Sequence, residues 1–128
     1  MTKTVAASLS EVPDWPGRTA DDAGHNRIAA FLVLDIQHSA HKANYVRDCI
    51  LDQQTRAAQA GGDRKAVEDM PDAEIVINAY ALSVGAETSV IDPVVDGTGE
   101  GALTVATKDL LAALECRIAA IRDAQNNQ

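Results

Sequence analysis

EIVINAY, residues 74–80, decides which kind of fold this chain adopts. Read as a helix, its Ile75 and Ala79 run on into Leu82, Ala86 and Val90, three- and four-residue steps that make one apolar face. Read as a strand, it is a short continuous apolar run, which periodicity alone does not separate from a buried helix. The alanines and the length of the pattern favour the helix.

Composition points the same way. Only 3% of the 128 residues are aromatic, so burial must come from aliphatic side chains and alanine, which suits closely approaching helices better than a broad β-sandwich. A hydrophobic content of 46% supports one modest core and therefore one domain.

Upstream, Pro71 followed by Asp72 and Glu74 marks a helix restart, and Asp63 is placed to cap the segment RKAVEDM, residues 64–70. Gly61 and Gly62 end whatever precedes them. Before them Ile28, Leu32, Ile36, Ala43, Val46, Ile50 and Ala57 recur at helical spacing, and Thr19 with Asp22 resembles a capping box. This pattern predicts one long helix from about Ala20 to Ala60. At 1.5 Å per residue such a helix is roughly 60 Å long. A compact chain of this size has a radius of gyration of only about 14 Å, so the expectation is an elongated bundle, an oligomer, or both.

Downstream, VIDPVVDGTGEGA, residues 90–102, reads as a connector because of Pro93 and its glycines. DGTGEG, residues 96–101, lacks the lysine and hydroxyl pair of a phosphate-cradling loop and reads as a linker. Leu103, Thr107, Leu110, Leu114, Ile118 and Ile121 then mark a last helix. The fold class expected is all-α: an elongated bundle of three to four helices with one long N-terminal helix. Residues 1–18, with Pro13, Pro16 and Gly17 around Trp15, form an extended arm that Trp15 anchors. Residues 19–125 form a single helical domain, and 126–128 a polar tail.

The formal net charge of −8 repels nucleic-acid phosphates and anionic lipid, and no basic stripe offsets it. Direct nucleic-acid and membrane binding are therefore not expected. Cys49 and Cys116 have no disulfide or zinc spacing, and neither a signal-peptide core nor a membrane span is readable, so cytoplasmic residence is expected.

One cluster carries chemistry worth testing. On a continuous helix, Leu34, His38, His41, Tyr45, Asp48 and Asp52 fall in one stripe opposite the Ile28, Leu32, Ile36, Val46 and Ile50 face. Two imidazoles three residues apart can share a transition metal, with Asp35 supplying an oxygen. His25 falls on the other side of the helix. A phosphotransfer reading of His38 fails on the residues that follow it, because the third and fourth places hold His41 and Lys42 rather than a lysine and a glycine.

No nucleophile and base can be ordered from this sequence, so no catalytic residue is named. The expected function is protein–protein interaction, as a small acidic regulatory, adaptor or phage-type accessory factor. The alternative is a metal- or ligand-binding bundle using His38, His41 and Asp35, and a third is a DNA-mimicking inhibitor. A two-fold homodimer is expected, with its seam along the long helix through Val46, Ile50, Ala57 and Tyr45. An unidentified second protein is the other expected partner.

Overall fold

The computed structural model describes residues 14–94 and 101–126. EIVINAY is not helical. Ala73–Val76 forms strand β1, Tyr80–Val84 β2, Thr88–Pro93 β3 and Leu103–Ala106 β4. They pair antiparallel in the order β1-β2-β3-β4, a four-stranded meander. The all-α, helical-bundle expectation is thus overturned: helices from both ends of the chain lie against one face of a sheet.

The burial pattern gives the physical reason. Along β2, Tyr80, Leu82 and Val84 are buried while Ala81 and Ser83 between them are half-buried, the period-two alternation of a strand with one covered face. Ile75 pairs with Leu82 and Leu82 with Ile91, so a row of aliphatic side chains crosses three strands on the inner face. Ile75 and Leu82 belong to the core as expected, but Ala79 and Ala86 sit in the turns, and Val90 faces away from Ile91. The β2–β3 turn depends on Gly85. Its N–H donates to the Thr88 carbonyl at 3.1 Å, and a Cβ there would lie 2.6 Å from that same oxygen.

The long helix is also interrupted. Helix α1 covers Ala23–Phe31, a π-helical turn follows over Leu32–Ile36, and α2 begins afresh at Ala40 and runs to Gln59. The break lies at Gln37, whose φ of 56° leaves the helical region and whose N–H reaches back five residues to the Leu32 carbonyl. Ser39 restarts the helix by accepting the Lys42 N–H on its side-chain oxygen. The longest helices among the described residues are therefore 20 residues, about 30 Å, and the need for a second chain to cover a 60 Å helix disappears.

The apolar phase nevertheless survives the break. Ile28, Leu32, Ile36, Ala43, Val46 and Ile50 are all fully buried. They meet Leu82, Val84 and Ile91 of the sheet and Leu110, Leu114 and Ile118 of the last helix in one core. A short helix, α3, spans Arg64–Glu68 after Gly61 and Gly62, both at positive φ, with Asp63 accepting the N–H groups of Lys65 and Ala66 as its cap.

The final helix, α4, covers Thr107–Asn126 and packs along α2. Leu103 was expected inside it but belongs to β4, so part of the expected connector is also strand: Val90–Pro93 ends β3. The strand-to-helix step is fixed at Thr107. Its hydroxyl donates to the Gly85 carbonyl at 2.8 Å and accepts from Ser89 at 2.7 Å, which satisfies two buried hydroxyls at once. At the other end Trp15 is buried, but Pro16 and Gly17 fold into a turn closed by Arg18 N–H to Trp15 carbonyl, so the arm is not extended there. The arm residues 1–13 and tail residues 127–128 lie outside the described residues.

Candidate interaction surface

The kink between α1 and α2 concentrates the unusual features of this molecule. Asp35, in the π-helical turn, is fully buried, and its two carboxylate oxygens accept the backbone N–H groups of Ala79 at 2.7 Å and Tyr80 at 3.1 Å. Asn78 donates its side-chain amide to the Leu34 carbonyl at 3.2 Å. From the other side Arg117 of α4, 4% exposed, donates its Nε to the Gln37 carbonyl at 3.0 Å. Burial lowers the pKa of that guanidinium, which stays charged at any physiological pH. A helix break is thereby tied to the β1–β2 turn and to α4 at once.

Clamping the break leaves apolar side chains outside. Val33 and Leu34 are 45% and 44% exposed, and they line a groove of about 480 Å³ with Ala29, Ala30, Asn26 and Arg18. Arg18 holds the polar end of the groove, where one guanidinium nitrogen donates to Asn26 while its Nε is buried and unpartnered. Across Asn78 from Leu34, Val76 is 65% exposed at the end of β1, and Val94, also exposed, donates its N–H to the Ala79 carbonyl. Four of the large exposed hydrophobics among the described residues thus lie on the segments that meet at this kink, while the other two, Tyr45 and Leu51, lie on α2.

The sheet contributes a second open surface. Its outer face carries Val76, Ala81, Ser83, Val90 and Thr104 together with two carboxylates, Glu74 opposite Ser83 and Asp92 opposite Ala81, and among the described residues the buried side chains all lie on the opposite face.

The expected metal set is not assembled. Asp35 is spent on two backbone N–H groups, His38 lies exposed in the break, and His41 is exposed in the first turn of α2. Among the described residues no group of three or more His, Cys, Asp or Glu side chains is arranged to hold a metal ion. Of the expected dimer seam, Val46 and Ile50 are fully buried in the chain's own core, Ala57 is half-buried, and Tyr45 stands exposed. A second copy cannot reach Val46 or Ile50 without unfolding the first.

A histidine that the sequence pattern set aside is the better-connected one. His25 Nδ1 accepts the Thr19 N–H at 3.0 Å, which places the ring proton on Nε2, and Nε2 donates to Asp109 at 3.1 Å. The Trp15 ring meets it edge-on at 5.7 Å, and Arg18 lies 5.5 Å from the Trp15 ring. With both nitrogens committed, His25 is a fastener between the N-terminal turn and α4 rather than a base facing substrate. No sequence signal foretells the His25–Asp109 pair, because the two residues lie 84 positions apart.

Both cysteines are half-buried free thiols. Burial raises the Cys49 thiol, Asp52 and Asp48 raise it further, and a hydrogen bond with Tyr45 opposes them. Burial likewise raises Cys116, aided by Asp14 and Glu115. No helix among the described residues is long and apolar enough to cross a membrane. No family model matches this sequence, and neither a curated protein nor a solved structure matches it.

Proposed function

We propose that this chain works by binding another protein, in an adaptor or regulatory role, through the groove beside α1 and the exposed aliphatics at the kink. The observation that carries the reading is the pair Val33 and Leu34, nearly half exposed on a segment that Asp35 and the Arg117–Gln37 contact hold rigid. Exposed aliphatics on a mobile loop need no partner, but a shallow apolar depression held in place by these contacts, with a cation at one end, favours association. The matching partner presents an aliphatic segment flanked by a carboxylate that Arg18 can meet.

The test compares tagged wild-type protein with a Val33→Ser, Leu34→Glu variant in affinity isolation from the native host. Both positions are surface-exposed, so the variant is expected to fold. A discrete stoichiometric partner held by the wild type and lost by the variant supports the reading. The same partner retained by the variant, or none held by either, contradicts it.

A further inference from the structure

The geometry points to an oxyanion site in the cleft between α2 and α4, built from Arg47, Arg122 and Glu115, that takes a protonated phosphate group. Arg47 of α2 and Arg122 of α4 line one cavity of about 200 Å³ with Glu115, Ile118 and Ala119. Neither arginine has a hydrogen bond or ion pair with any described residue, and the Nε of Arg47 is buried without a hydrogen-bond partner among them. Exposed cations such as Lys65 and Lys108 also lack an ion pair among the described residues; what sets this cleft apart is that two guanidinium groups line one small cavity and that one of them carries a buried Nε without a hydrogen bond. Guanidinium groups present planar forks of N–H donors that fit tetrahedral oxyanions.

The cavity is small, on the scale of one phosphate group with its water rather than a nucleotide. Glu115 sharpens the chemistry. A carboxylate lining an anion site repels a fully ionised ligand but accepts a hydrogen bond from one that retains an acidic proton. The monoanionic forms of inorganic phosphate and of phosphate monoesters carry such a proton, the monoester losing it with a pKa of about 6, and sulfate does not. The site therefore selects phosphate over sulfate: the two arginines donate to the oxygens and Glu115 accepts the P–OH.

Calorimetric titration of the full chain at constant ionic strength and a pH of about 6, where both phosphates hold the monoanionic form, tests this with inorganic phosphate, glycerol phosphate and sulfate. Saturable binding of phosphate is expected, with sulfate roughly tenfold weaker, the worth of one hydrogen bond to a charged group. Tighter binding of glycerol phosphate than of phosphate assigns the cavity to a group on a larger molecule, and the reverse to the free ion. Arg122→Ala removes an exposed side chain and is expected to abolish saturation with an unchanged circular dichroism spectrum. Glu115→Gln is expected to erase the preference over sulfate. Absence of saturable phosphate binding, or binding that Arg122→Ala leaves intact, overturns the site, and equal affinity of the wild type for phosphate and sulfate overturns the role of Glu115.

Discussion

Asp35 accepts the N–H of Ala79 at 2.7 Å, and the same buried carboxylate takes the N–H of Tyr80 beside it, so a helix kink fixes where strand β2 starts. The β1–β2 connection, residues 77–79, carries no glycine, and Asp35 accepts the N–H of its last residue, Ala79, and of Tyr80, where β2 begins. Replacing Asp35 by alanine strands both donors in the interior, at about 2–4 kcal/mol of folding free energy. Urea unfolding measures it, with Asp35→Asn expected between wild type and alanine because an amide keeps one acceptor oxygen. A loss below about 0.5 kcal/mol for alanine denies the clamp.

Gln37 occupies φ 56° and ψ −126°, a conformation that glycine adopts far more readily than a residue with a Cβ. Gln37→Gly is expected to stabilise the protein by about 1 kcal/mol, since the Arg117 contact goes to the main-chain carbonyl and is kept. The glutamine side chain contributes only an exposed hydrogen bond to the Leu34 carbonyl. A stabilising substitution would identify the strain as tolerated for a purpose other than folding. Destabilisation beyond about 1 kcal/mol would mean that the glutamine itself supports the turn.

The helical half of this fold could be read from residues because its signals are local. Asp63 caps α3, Gly61 and Gly62 end α2 at positive φ, and the Ile28-to-Ile50 face is buried throughout. The break at Gln37 had no such signal: no proline or glycine lies there, and its causes, Arg117 and the Asp35 clamp, come from 80 and about 44 positions away. EIVINAY misled for a related reason. The strict alternation that betrays the sheet begins only at Tyr80, and the alanines at 79 and 86 fit a helix face equally well until the Gly85 turn is known. The groove beside α1 is a tertiary product of the kink, so only its members, not their convergence, could be named in advance.

The three histidines should separate cleanly. His25→Ala removes two hydrogen bonds and an edge-on ring contact and is expected to cost about 1–2 kcal/mol. His38→Ala with His41→Ala, both exposed, should change stability by less than about 0.5 kcal/mol. Thermal unfolding of the two variants side by side decides it, and the reverse order would contradict the network around His25.

The thiols give a pH prediction with a definite sign. Both are raised by burial and neighbouring carboxylates, so the folded state holds their protons more tightly than the unfolded state does. Their contribution is complete below the unfolded thiol value of about 8.5 and is lost as pH rises through the folded values. Urea midpoints should therefore decline above about pH 8.5, and a Cys49→Ala, Cys116→Ala variant should flatten that decline. A midpoint that falls equally in the variant would place the cause elsewhere.

Protein binding at the kink is tested most directly by placing a photoreactive phenylalanine analogue at Leu34 and, as a control, at Arg56, which is exposed on α2 and engaged only with Asp52. Irradiation in the native host is expected to give one discrete adduct from position 34, of a mass identifiable as a second protein or a second copy of this chain, and none from position 56. No adduct at position 34, or the same adducts from both positions, would contradict a docking surface in this groove.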